Sequence, residues 1–291
     1  MKIIIKHCFF LSCLVLAVTN SHADTENFRE LWRTEGFSNP ESVIYDQENN
    51  VLYITNVNGS PVEKDGNGFI SRVSMDGEII TLEWITGLNA PKGMAIIDNR
   101  LYVADIDALV EIDITQGVIS HRYAIEGAKF LNDVAAGDGV VYVSDSFGNA
   151  IFSLKDGVVE TWLSAPELVS PNGLYVDKGR ILVGSMGVFG ENPLPGEFLS
   201  VSMADKSISS ASGGKGIGGL DGVEADLDGD FYVSDWAAGK IYHIERNGEF
   251  EELLSLEQGT ADIDYIQAKD TLLVPLMVSG KLVAFKAHHY E

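Results

Sequence analysis

One pattern recurs six times along the chain, and no other feature restricts the fold as tightly. It reads Leu52-Tyr53-Ile54-Thr55-Asn56, Leu101-Tyr102-Val103-Ala104-Asp105, Val141-Tyr142-Val143-Ser144-Asp145, Ile181-Leu182-Val183-Gly184-Ser185, Phe231-Tyr232-Val233-Ser234-Asp235 and Leu272-Leu273-Val274-Pro275-Leu276. The second residues of successive copies lie 49, 40, 40, 50 and 41 positions apart. Six units of this length match the blades of a propeller, each a sheet of four strands. An apolar strand precedes each copy across a tight turn such as Asp138-Gly139, and a third strand follows it. An outer strand closes most blades, for instance Glu78 to Ile85 or Glu249 to Leu256. The sixth repeat ends without one, while Phe28 to Thr34 near the N-terminus is left over. The expected fold is therefore all-β, a six-bladed β-propeller of four-stranded antiparallel blades with its ring closed by the N-terminal strand. No window keeps a helical period for long, and the 30 glycines argue against helices.

Aligning the repeats also aligns the residue that opens each innermost strand. These segments read Pro40-Glu41-Ser42-Val43, Pro91-Lys92-Gly93-Met94, Leu131-Asn132-Asp133-Val134, Pro171-Asn172-Gly173-Leu174, Leu220-Asp221-Gly222-Val223 and Ala261-Asp262-Ile263-Asp264. Innermost strands line the central channel, so Glu41, Lys92, Asn132, Asn172, Asp221 and Asp262 are expected around one axis at one mouth. Three carboxylates, two amides and one ammonium form an oxygen-rich ring. Such donors suit a hard cation, Ca²⁺ before Mg²⁺, because Ca²⁺ accepts neutral amides and irregular geometry. Wet channel mouths also hold polar residues that merely satisfy backbone and water. Lys92 can pair with Asp262 or Glu41 and partly replace a cation, or orient a carboxylate or carbonyl of a substrate. Zinc and copper fit poorly, since His121, His243, His288 and His289 are scattered and none falls on the ring.

The N-terminus reads as a secretory signal over residues 1–23: Lys2 and Lys6, an apolar run from Cys8 to Val18, then Ser21-His22-Ala23. Cleavage after Ala23 leaves a propeller domain of residues 24–291. Both cysteines, Cys8 and Cys13, lie in the signal, so the mature chain has no disulfide or thiolate chemistry. A periplasmic or secreted bacterial protein is expected. The formal charge of −23 becomes −25 once the two signal lysines are removed. That surface repels nucleic acid and anionic membrane, and no later stretch is apolar enough to insert in a bilayer. A small-molecule substrate or ligand is the expected partner.

The ordered set of ring residues resembles the gluconolactonase and regucalcin-like (senescence marker protein) family of six-bladed propellers. Diisopropylfluorophosphatase and the paraoxonases are more distant relatives. The resemblance covers Asn27 to Phe285 in blade order. It implies one divalent cation, with Ca²⁺ preferred and Mg²⁺ or Mn²⁺ as substitutes, held by Glu41, Asn132, Asn172 and Asp221. It further implies hydrolysis of a lactone or ester, the cation polarising a carbonyl as water adds. Asp221 then matches the residue that activates water, with Asp262 as second candidate base and Lys92 as a substrate-orienting group. The sequence departs from the sugar-lactone members at Phe130, where they place an Arg, and at Lys92. A non-enzymatic ligand- or protein-binding propeller with a structural ion is the competing expectation.

Other motifs carry less. Gly213-Gly214-Lys215-Gly216-Ile217-Gly218-Gly219 leads into a strand, with no helix N-terminus for a phosphate, and reads as a rim loop. Asp226-Leu227-Asp228-Gly229-Asp230 lacks the closing Glu of a calcium loop and reads as a hairpin turn. Asp105, Asp145 and Asp235 are expected to cap loop N–H groups. The longer loops Val57 to Gly68 and Gly187 to Gly196 are expected to form a rim that includes Phe189.

Overall fold

A computed structural model of the protein describes residues 28–287; the signal segment and His288 and His289 lie outside them. Five blades follow the chain in order from the channel outward. They are β2–β5 (Pro40–Asp46, Val51–Asn56, Gly68–Val73, Ile79–Leu88), β6–β9 (Pro91–Ile97, Arg100–Asp105, Ala108–Asp113, Val118–Ala124) and β10–β13 (Leu131–Gly137, Val140–Asp145, Ala150–Lys155, Val158–Ser164). Then come β14–β17 (Pro171–Asp177, Arg180–Ser185, Phe198–Ser202, Ile208–Ser210) and β18–β21 (Leu220–Ala225, Phe231–Asp235, Lys240–Ile244, Phe250–Ser255). The sixth blade joins both ends of the chain: β22–β24 (Asp264–Ile266, Thr271–Leu276, Lys281–Ala287) are completed on the outside by β1 (Phe28–Glu35).

Local chemistry explains the hairpins. Asp98-Asn99, Asp138-Gly139, Asp156-Gly157 and Lys178-Gly179 are two-residue loops with positive φ at both positions. That is the turn whose twist matches paired strands, and Asn, Asp and Gly adopt it most readily. The second strand of each blade is sandwiched on both faces, which is why the six-fold repeat is a continuous apolar run. All six residues of β3 and of β23 are buried, whereas β13 is largely exposed.

The core is divided into six main clusters, each bridging two neighbouring blades. No blade has a core of its own. The cluster at the closure joins Leu273, Leu282 and Ala284 of the sixth blade to Val43, Leu52 and Ile54 of the first. β1 stitches this seam from outside. It pairs antiparallel with β24 from Phe28↔Ala287 to Glu35↔Lys281. Trp32 packs on the cluster and its Nε1 donates to Met75 O at 3.0 Å, while Thr34 Oγ1 donates to Gly77 O. A Cβ at Gly77 would stand 2.6 Å from the Trp32 ring, so glycine is required there by contact as well as by its φ of +83°. Among the described residues no helix is long and apolar enough to cross a membrane.

The Asp226–Asp230 segment is a turn, as its sequence suggests. Asp226 Oδ1 accepts from Asp228 N and Asp230 N, and Oδ2 meets His243 Nε2 at 2.8 Å. The Asp226 hydrogen bond raises the His243 pKa; burial opposes, yet His243 holds Asp226 below its usual value.

Two predictions follow from these contacts. Trp32→Ala should destabilise the ring by about 2–4 kcal/mol, read from urea unfolding. The extra stability of wild type over His243→Gln should be greatest from about pH 4 to 6.5. It should fade as pH rises through the raised His243 pKa, and again as pH falls through the lowered Asp226 pKa.

Candidate functional site

The innermost strands do not pair evenly with their neighbours. From Pro40↔Asn56 to Val43↔Ile54 the first strand advances three residues while the second advances two. The same slip occurs at Pro91/Met94, Leu131/Val134, Pro171/Leu174 and Leu220/Val223. Five blades thus carry a β-bulge at one position, and the first bulged residue is Glu41, Lys92, Asn132, Asn172 or Asp221. A bulge re-aims a side chain out of the regular alternation, here towards the axis. In the first, third and fifth blades the N–H it frees is satisfied by a hydroxyl on the second strand. Ser42 N donates to Thr55 Oγ1 at 3.0 Å, Asp133 N to Ser144 Oγ at 2.9 Å and Gly222 N to Ser234 Oγ at 2.8 Å.

The fifth residue of five of the six repeats clamps the loop entering the bulge. Asn56 Oδ1 accepts from Ser38 N, Asp105 from Asn89 N and Ala90 N, Asp145 from Lys129 N and Phe130 N, and Asp235 from Gly219 N. Ser185 Oγ donates to Val169 O. The expected capping role of Asp105, Asp145 and Asp235 is therefore met; Asn56 shares it in the first blade, while Ser185 holds its loop through a carbonyl instead.

The sixth position departs from the expected ring. Its repeat ends Pro275-Leu276, and Thr260 bridges Leu276 as Pro40 pairs with Asn56, so the apolar Ala261 takes the ring position and Asp262 the place next to it. Asp262 N donates to Glu41 O at 2.9 Å, Asp262 bridges in parallel to Ser42, and its Oδ2 accepts from Ser42 Oγ at 2.6 Å. Asp262 thus sits one step from Glu41, turned to Ser42, and does not line the cavity that the other five share.

That cavity has a volume of about 230 Å³. Glu41, Lys92, Asn132, Asn172 and Asp221, each only 2–6% exposed, form its floor. Glu41 Oε2, Asn132 Oδ1, Asn172 Oδ1 and Asp221 Oδ1 are buried without a hydrogen-bond partner; only three other side-chain atoms among the described residues share that condition. Asn132 is aimed by Ser146, whose Oγ accepts from Asn132 Nδ2 at 3.1 Å and donates to Pro171 O at 2.7 Å. Lys92 Nζ donates to Ala90 O and Pro61 O at 3.0 and 3.3 Å and lies 4.4 Å from the Phe130 ring centre. It makes no ion pair with Glu41 or Asp262. Burial pushes its pKa down to about 8 against the pull of Glu41 and Asp105.

Burial, with the neighbouring charges of Asp221 and Asp262, drives Glu41 well above the usual carboxylate range. Burial and then Asp262 do the same for Asp221, and burial alone dominates at Asp262, raised to about 7. Deeper in the channel lie three acids not singled out from the strand openings. Asp133 accepts from Val134 N and Leu174 N, both at 2.6 Å, tying the third blade to the fourth. Asp264 accepts from Tyr45 N at 2.6 Å, tying the sixth to the first. Glu224 is raised by burial, then by Asp264 and Asp262. Their signal was in the same strands, one to three residues past Asn132, Asp262 and Asp221.

The two long loops both contribute to the cavity lining, as expected. Val57 and Pro61 come from one and Phe189 from the other, with Met186 just before it. The glycine-rich segment braces the latter: Gly196 N donates to Gly218 O and Ile217 N to Gly196 O.

No protein-family profile and no curated protein matches the chain. Solved structures do. A gluconolactonase from Xanthomonas campestris superposes with a TM-score of 0.68 at 14% identity over 90% of this chain and 89% of that one. A putative gluconolactonase gives 0.63 at 19% over 90% and 92%. A streptogramin B lyase gives 0.65 at 14% over 90% and 97%. At these identities the likeness shows the propeller fold.

Backbones crowd where the bulges meet. A Cβ at Gly173 would stand 1.7 Å from Asp221 O, and one at Gly93 2.2 Å from Asp133 Oδ1. Gly173→Ala should therefore cost at least about 1–3 kcal/mol in urea unfolding. It should also displace Asp221, seen as altered near-UV dichroism.

Proposed function

We propose that the protein hydrolyses lactones or esters with one divalent cation, Ca²⁺ in preference to Mg²⁺ or Mn²⁺, held by Glu41, Asn132, Asn172 and Asp221. The observation that carries this reading is the set of four buried, unpartnered oxygens on one cavity floor. Each such atom left alone costs about 1–3 kcal/mol, and two belong to carboxylates whose charge burial disfavours. A hard cation bound by carboxylate and amide oxygens together answers all four. A donor set without imidazole or thiolate disfavours zinc and copper.

When bound, such a cation polarises a carbonyl and stabilises the charge that develops on its oxygen. The chain's own groups do the rest. Asp221, whose second oxygen is oriented by a hydrogen bond from the Asn172 side chain, is the group placed to take a proton from attacking water. Asp262 acts from behind: its charge adds to burial in lifting the proton affinity of Asp221. Lys92, fixed by two carbonyls, has one N–H left to orient an acyl oxygen.

The fold shared with gluconolactonases supports a hydrolase. Another structural neighbour, virginiamycin B lyase with quinupristin, is catalytically inactive as a histidine-to-alanine variant, and this ring has no histidine. A binding propeller with a structural ion is the second reading, favoured by Lys92, whose ammonium offsets part of the floor's negative charge. The exported location belongs to the proposal and rests on residues 1–23.

The test is calcium titration calorimetry on metal-stripped protein, followed by turnover of simple esters. Binding of about one Ca²⁺ per chain is expected, weakened at least about tenfold in Glu41→Gln and Asp221→Asn, with turnover lost in Asp221→Asn. Turnover that survives both metal removal and Asp221→Asn would overturn the hydrolase assignment; binding without turnover would leave the second reading.

A further inference from the structure

The cavity wall above the floor is apolar on nearly every side. Phe130 and Phe147 stack with ring centres 4.5 Å apart and an angle of 25° between planes. Phe189 faces the same space from the loop of the fourth blade, and Phe147 and Phe189 are 52% and 58% exposed at its mouth. Trp236 and Met277 close the remaining side, linked by Nε1 to Sδ at 3.4 Å.

One hydroxyl, that of Ser146, remains in that wall, and the Lys92 ammonium reaches up to it from the floor; both are largely committed. The Ser146 hydroxyl donates to Pro171 O and accepts from Asn132. Lys92 spends two of its three protons on backbone carbonyls and carries no acceptor. An aldono-lactone would bring four hydroxyls, each a donor, into a wall that offers them almost no acceptor. An alkyl or aryl group meets aromatic faces and thioethers there instead.

Resting on the hydrolase reading above, we propose that the substrate is a compact lactone or ester bearing an alkyl or aryl group where a sugar lactone bears hydroxyls. Phe130, Phe147 and Phe189 are its specificity-determining residues. About 230 Å³ corresponds to roughly eight waters' worth of space, which admits a six-membered ring with a short chain or a phenyl ester. In the reaction, water adds to the acyl carbon and the acyl C–O bond breaks. A δ-lactone yields one hydroxycarboxylate and one proton, and no other reactant is consumed.

Two δ-lactones separate the alternatives because they share the reacting ring. δ-Octalactone carries a propyl group; glucono-δ-lactone carries hydroxyls and a hydroxymethyl. Both are followed with Ca²⁺-loaded protein by proton release above the spontaneous rate, with phenyl acetate as the aryl case. The expected result is a kcat/KM for δ-octalactone about a hundredfold or more above that for glucono-δ-lactone. The ratio should fall about tenfold or more in a Phe147→Ser, Phe189→Ser double variant, whose changes lie at exposed rim positions.

Preference for glucono-δ-lactone would overturn this inference while leaving the hydrolase reading intact. If nothing turns over, saturable quenching of Trp236 fluorescence by δ-octalactone, absent in Trp236→Phe, would retain the apolar ligand class and discard hydrolysis. Neither turnover nor quenching would overturn both.

Discussion

The site depends on one repeated contact, the clamp between the end of each blade's second strand and the loop that enters its first. Asn56, Asp105, Asp145, Ser185 and Asp235 hold those loops by hydrogen bonds to backbone. Each clamp fixes where the bulge begins, and the bulge fixes which side chain faces the axis. The sixth blade, without such a side chain, keeps its register through backbone bonds such as Met277 N to Gly259 O. Thr260 bridges Leu276 as Pro40 pairs with Asn56, so Ala261 takes the ring position and Asp262 faces Ser42. The floor is thus built from five blades, and the sixth contributes charge from behind.

The channel concentrates negative charge in a place that resists it. Glu41, Asp133, Asp221, Glu224, Asp262 and Asp264 are all raised, with burial first among the causes in each. Lys92 is the lone cation among them. Two of these acids have a plain structural task, since Asp133 and Asp264 each accept backbone N–H groups from the next blade. Neighbouring inner strands, which splay from the axis, are tied by such carboxylates. The acids of the floor differ because Glu41 and Asp221 each keep an oxygen with no protein partner.

Most of the architecture was legible because the second strand of every blade is buried on both faces and leaves the same apolar signature. Five floor residues were legible because register carries over from blade to blade. Asp262 was misplaced by one residue because the sixth blade shares the first blade's longer hairpin (267–270 and 47–50), so that Ala261 precedes Leu273 as Glu41 precedes Tyr53. Asp133, Glu224 and Asp264 were missed because a strand-opening position says nothing about residues past a bulge. The aromatic wall could be glimpsed at Phe130 and Phe189, whereas Phe147, Trp236 and Met277 come from separate blades that only the closed ring brings together.

Closure by β1 also has a kinetic side. Phe28 pairs with Ala287, so the seam cannot form until nearly all of the chain is available. Every core cluster spans two blades, so a partly made ring leaves an apolar edge at each end. Contacts of such long sequence separation fold slowly, and intermediates with open sheet edges are prone to aggregate. Because the two ends of the closing sheet meet on adjacent strands, joining them and opening the chain at a loop between blades would preserve every strand pair. It would also move the last step of assembly to a different blade.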